Sequence, residues 1–114
     1  MIEGLSPNQP IHTNENGGKQ SATPYAFHLI PPHAMFELAK VVAEGEKYGA
    51  GNWRRIPIAH HINHAQMHLC GYLAGDDQDA HLSHAVCRIA FALELDFLER
   101  TRKNNDARDN RPID

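Results

Sequence analysis

Apolar residues recur at helical spacing through the middle of this chain and show little periodicity at its two ends. Met35, Leu38, Ala39 and Val42 fall at i, i+3, i+4 and i+7. Pro31 and Pro32 stand just before them, where a first helical turn tolerates proline, and Gly49 and Gly51 follow as a stop. A second helix is predicted over residues 57–74, where Ile58, Ile62, Ala65, Leu69 and Tyr72 advance by four, three, four and three. Gly75-Asp76-Asp77-Gln78-Asp79 interrupts the pattern, and Asp79 is placed to cap a third helix over 80–102. That helix is apolar on two sides, with Leu82, Val86, Ile89 and Leu93 on one and Phe91, Leu95 and Leu98 on another. Such an element belongs in the middle of a bundle. No alternating strand pattern competes, so the predicted fold is all-α, a small bundle of three main helices.

The flanks are polar. Residues 1–24 hold Pro7, Pro10, Gly17, Gly18 and Pro24 and predict an extended or mobile N-terminal arm. Residues 103–114 predict a polar C-terminal tail. The whole core then falls within residues 25–102. Leu, Ile, Val and Phe make only 24 of 114 residues, which is little for a packed core, and small domains bury a low fraction of their surface. Self-association into a homo-oligomer would complete the core. There is no internal repeat.

Acidic residues outnumber basic ones, 14 to 11, for a net charge of −3. That balance argues against stable nucleic-acid binding, which needs a basic surface. No apolar run is long enough to span a membrane and no secretory h-region is present, so a cytoplasmic location is expected. Cys70 and Cys87 form no CxxC and suggest no disulfide framework.

Histidine is the outlier, with nine copies. At 100° per residue His61, His64 and His68 form one strip on the second helix, beside its apolar stripe. His81, His84 and Arg88 form another on the third helix, running between its apolar sides. A polar line through an apolar face costs several kcal/mol unless its groups find partners. The natural partner is the facing strip, or a metal ion and an anion held between the two. Imidazole is the commonest transition-metal ligand, and ligands one helical turn apart can share an ion. His64, His68, Asp79, His81 and His84 are therefore the candidate ligands. His12, His28, His33 and His60 read as surface or boundary residues. Glu37 and Glu44, seven apart, share a face of the first helix and could serve a hard cation, or form a solvated face. Asp76, Asp77 and Asp79 also read as turn and cap residues. Lys47, Trp53, Arg54 and Arg55 could stack on a base and hold phosphates, although Trp53 equally suits a core.

Several chemistries are excluded. His60-His61-Ile62-Asn63-His64 lacks the glutamate of a zincin, no His-Asp dipeptide occurs, and no glycine-rich phosphate loop or nucleophile elbow is present.

The segments GGKQS (17–21), LIPPHAMFELAKV (29–41), EGEKYGAGNWRRIP (44–57), NHAQMHLCGYLAGD (63–76) and HLSHAVCRIAFAL (81–93) together resemble a phage and prophage family. It is the dATP/dGTP diphosphohydrolase N-terminal domain, and the likeness covers residues 17–98. The resemblance implies hydrolysis of a deoxypurine nucleoside triphosphate to monophosphate and pyrophosphate. His68, His81 and His84 match the family's histidines, Lys47, Tyr48, Asn52 and Trp53 its first-helix end and following link, and Arg88 its third-helix arginine. The family is similar in style to the all-α nucleotide pyrophosphohydrolases, whose ExxE and ExxD pairs are absent here. The expected activity is thus metal-dependent, with Mg²⁺, Mn²⁺ or Co²⁺, and Zn²⁺ also compatible. His64, His68, Asp79, His81 and His84 would surround the ion, with Glu37, Glu44 and His84 as catalytic groups. Lys47, Tyr48, Trp53, Arg55 and Arg88 would bind the nucleotide. A phage-encoded chain would act in the cytoplasm of a bacterial host. Two other readings stand beside this one: a non-catalytic metal- or nucleotide-binding module, and a structural bundle whose histidines pair with carboxylates across helices.

Overall fold

A computed structural model describes residues 2–109 of the chain, which divide between Pro32 and His33 into two units. The N-terminal unit is built around a hairpin. Its strands β1 (Ile11–Thr13) and β2 (Lys19–Ser21) pair antiparallel, Ile11 opposite Ser21 and Thr13 opposite Lys19. The turn between them explains why. Asn14 Oδ1 accepts the backbone N–H of Asn16 and of Gly18, each at 2.9 Å, and Gly17 sits at φ 83°, where a side chain would be strained. The expected arm therefore contains a paired hairpin that the sequence reading did not predict. An Asx turn followed by a glycine pair closes a hairpin without any apolar alternation, so periodicity alone missed it.

The second unit is helical, as the apolar spacing predicts. It comprises α1 (Pro32–Glu44), whose first residue is the last of the N-terminal unit, two single 3-10 turns (Gly45–Tyr48 and Asn52–Arg55), α2 (Ile58–Leu73) and α3 (His81–Asp109). Pro32 opens α1 and Pro57 caps α2, positions whose missing N–H costs a helix nothing. The C-terminus of α2 is closed by two backbone bonds, Asp76 N–H to the Gly71 carbonyl at 3.1 Å and Gly75 N–H to the Tyr72 carbonyl at 3.0 Å. Gly75 is at φ 82°, so this is a glycine-terminated Schellman end. It turns the chain back so that α3 packs against α2.

Small residues line that packing. Ala65, Ala85, Cys87 and Ala92 are buried, together with His61 and His68. The strip of α3 that carries Arg88 and the histidines faces α2. The Leu82, Val86, Ile89 and Leu93 side does not, and those four are 46% to 68% exposed. Helix α3 also runs on to Asp109 instead of ending near residue 102. No glycine or proline interrupts residues 103–109, and Arg100 Nε bonds Asp96 Oδ2 one turn back at 2.9 Å. The rest of the expected tail, 110–114, and the first residue of the expected arm lie outside the described residues. Among the described residues no helix is long and apolar enough to cross a membrane.

Candidate metal centre and adjoining pocket

The turn between α2 and α3 gathers five polar side chains. His68 comes from α2, His81 and His84 from the first turn of α3, and Asp76 and Asp79 from the connection. His81 Nε2 lies 2.6 Å from Asp76 Oδ2. A carboxylate only accepts, so that nitrogen carries a hydrogen, and in the neutral ring Nδ1 holds the lone pair. Nδ1 faces His68 Nδ1 at 3.1 Å. Asp79 spans the group, with Oδ2 3.9 Å from His68 Nδ1 and Oδ1 3.4 Å from His84 Nε2. The His84 ring stacks on His68, centroids 5.1 Å apart and planes within 24°.

Gly71 makes the arrangement possible. A Cβ on it would stand 2.8 Å from His81 Cε1, so any other residue on that turn of α2 would push the ring aside. Burial holds His68 below the ordinary imidazole value, helped by the charge of His84 and opposed by Asp79. A neutral imidazole is the form that binds metals.

His68, Asp79 and His81 each offer one donor atom, all within 4.8 Å of one another. Two nitrogens that share an ion at bond lengths of ~2.0–2.1 Å stand roughly 3 Å apart, close to the separation of the two Nδ1 atoms. Ligating histidines also generally donate their other N–H to a carboxylate, a backbone carbonyl or water, as His81 does toward Asp76. The group could hold a metal ion. Two imidazoles with one carboxylate suit Mn²⁺, Co²⁺ or Zn²⁺ better than Mg²⁺, which prefers oxygen and water.

Next to this group lies a pocket of about 160 Å³. Val41, Val42, Ile56 and Phe91 form much of its wall, and His84 and Arg88 supply its polar side. His61, fully buried, forms part of its floor. Its Nε2 donates to the Trp53 carbonyl at 3.0 Å, and Arg88 Nη1 donates to its Nδ1 at 3.2 Å. Trp53 lies flat on Phe91, centroids 4.8 Å apart and planes within 4°, while the Arg54 guanidinium sits 4.8 Å from the Trp53 ring centroid.

The structure therefore brings His68, Asp79, His81 and His84 together, and His84 and Arg88 to the pocket beside them. His64 is exposed on α2 and is not among the three grouped donors. Glu37 accepts the Ser83 hydroxyl at 3.1 Å and lines a separate pocket with Leu82 and Val86. Glu44 is exposed and lines neither. Tyr48 reaches the pocket. Lys47 lies exposed, its Nζ 5.1 Å from the Tyr48 ring centroid. Arg55, also exposed, donates to Asn52 Oδ1 at 3.4 Å. With Phe91 on one side and Arg54 beside its ring, Trp53 can stack a base only if Arg54 moves. Two residues that spacing did not single out matter here. Asp76 orients His81, and Glu46 lines the pocket. The signal for Asp76 was the density of aspartates immediately before His81.

A family model described as dATP/dGTP diphosphohydrolase, N-terminal, matches residues 14–108. No curated protein and no solved structure matches the chain.

Proposed function

The chain belongs to the dATP/dGTP diphosphohydrolase N-terminal family, and on that premise we propose that it hydrolyses a purine (deoxy)nucleoside triphosphate to monophosphate and pyrophosphate, in the cytoplasm and with a divalent metal. The observation that carries this reading is the His68, Asp79 and His81 donor group beside a pocket with a cationic side. These three residues would hold the ion, with Asp76 fixing the His81 ring. A bound divalent ion supplies Lewis-acid polarisation of a phosphoryl oxygen.

The remaining work belongs to the chain. Arg88 neutralises phosphate charge with a fork of N–H donors, and the exposed Lys47 and Arg55 add to the positive field. His84 is the expected catalytic group that lines the pocket and also approaches Asp79. Glu37 and Glu44, the other two expected catalytic groups, do not line this pocket, so the reading gives the step to His84 first.

The test is pyrophosphate release from dATP and dGTP with Mn²⁺, Co²⁺, Zn²⁺ and Mg²⁺ in turn. Release is expected to be faster with Mn²⁺ or Co²⁺ than with Mg²⁺. His81→Ala should lower turnover by about 10²-fold or more, since it removes a ligand whose outer partner alone is worth 10–100-fold elsewhere. A second reading rests on where the donors sit. They straddle one helix–helix turn, so an ion there would also fasten α2 to α3. Metal-dependent melting with no pyrophosphate from either substrate would favour this non-catalytic, metal-binding role.

A further inference from the structure

His61 is the one fully buried large side chain among the described residues, and it contacts a cation. The Trp53 carbonyl can only accept, so the Nε2 that meets it at 3.0 Å carries the hydrogen. A guanidinium can only donate, so the Nδ1 that meets Arg88 at 3.2 Å carries the lone pair. Both contacts are satisfied at once only by a neutral ring in a single tautomer. Phe91 braces that ring edge-on, centroids 5.5 Å apart.

Arg88 is thus tied at one nitrogen and free to donate from the others. It is partly buried, and among the described residues it forms no ion pair with a carboxylate. Glu46 lines the same pocket but makes no ion pair with it, so this half-buried cation has only a neutral bonded partner to offset its desolvation. Along α3 the strip reads His81, His84, Arg88, Phe91, a span of about 15 Å at helical rise. The donor group lies on one side of Arg88 and the aromatic wall on the other. The pocket volume of about 160 Å³ is below the roughly 300–1,000 Å³ of sites for drug-sized ligands, so it takes one part of a ligand.

We propose that Arg88 is the anion anchor of this pocket, gripping the phosphate of a nucleoside monophosphate unit whose base lies against Val41, Val42, Ile56 and Phe91, and that His61 is the positioning residue that aims it. The choice of a nucleotide rests on the hydrolase reading; the anion anchor rests on the geometry. In a triphosphate the α-phosphate meets Arg88, and the further phosphates run toward His84 and His81.

The test uses the full chain in EDTA. Trp53, the sole tryptophan, lines the pocket, so its indole N–H resonance reports occupancy while calorimetry gives affinity. The probes are dAMP, deoxyadenosine and inorganic phosphate. The expected result is dAMP binding about tenfold or more tighter than either fragment, as a charge-assisted contact of ~1.5–3 kcal/mol requires. Arg88→Met should weaken dAMP binding by about that factor while leaving deoxyadenosine unchanged, and Arg88→Lys should fall between. His61→Gln keeps a donor for the Trp53 carbonyl and an acceptor for Arg88, so it should retain binding that His61→Leu loses. The imidazole nitrogen shifts of His61 in the wild-type chain give a readout independent of any variant's folding, and they should show a neutral Nε2–H ring at pH 7.

Unchanged dAMP affinity in Arg88→Met, equal affinity for dAMP and inorganic phosphate, or a protonated His61 at pH 7 would each overturn the proposal. The two readings fail separately. Arg88-dependent dAMP binding without pyrophosphate release ends the hydrolase reading alone. Hydrolysis with dAMP affinity unaffected by Arg88→Met ends the anchor alone.

Discussion

His61 and His68 lie two turns apart on α2, and both are buried. Burial is the main reason each ring titrates below the ordinary 6.5. For His61 the Trp53 carbonyl opposes the shift and Arg88 adds to it. As pH falls through 6.5 the unfolded chain takes up protons that the native rings still refuse. The unfolded state then binds more protons, and stability drops with falling pH. Melting of the metal-free protein is therefore expected at a lower Tm at pH 5.5 than at pH 7.5, and His61→Gln should flatten that slope. A Tm that rises on acidification would contradict the burial of neutral rings. At this scale the sequence was legible where one helix face decided the matter. His68, His81 and His84 fall on strips that periodicity alone picks out. His61 and His64 were harder, because three residues of helix place them only about 60° apart and the boundary of the α2–α3 interface runs between them. Asp76 depended on the path of the turn, which no periodicity encodes.

The helix cores were legible for physical reasons that act locally. Prolines that can only open a helix stand at the start of α1 and before α2, and Gly75 can leave α2 in a conformation other residues resist. The end of α3 and the β1–β2 hairpin were not, since the first has no stop residue where the apolar pattern fades and the second depends on one asparagine side chain. Gly71 is where an element's sequence bears on the site. Alanine is favoured over glycine inside a helix by ~0.8–1 kcal/mol, yet its methyl would strike the His81 ring. Gly71→Ala should therefore leave the helical circular dichroism intact and cost little stability. It should weaken Mn²⁺ or Zn²⁺ binding by about 10–100-fold, the range seen when a ligand loses its outer support. Metal titrations followed by thermal shift would check this, and an unchanged metal-induced Tm rise would show that His81 is not a ligand.

At the scale of the whole molecule, the buried set among the described residues is small and the large apolar residues lie outside it. Leu82, Val86, Ile89 and Leu93 follow one another along a partly exposed side of α3, the first two beside Glu37 and Leu38 of α1, with Ile62, Leu69 and Tyr72 exposed on α2. We propose that the chain self-associates through this apolar side of α3, since exposed stripes of this kind mark interaction sites. Sedimentation equilibrium at micromolar concentrations should give at least a dimer, and Val86→Glu with Leu93→Glu should return it to monomer. A wild-type monomer would refute the expectation. The donor group has a different consequence for how such a molecule comes together. His68 and His81 are 13 residues apart, and chain segments near that length close in about 10–100 ns. The α2–α3 hairpin can thus bring its ligands into place before any distant part of the chain has arrived. An ion captured at that moment would template the fold, acting on how quickly the hairpin is reached as well as on how long it lasts.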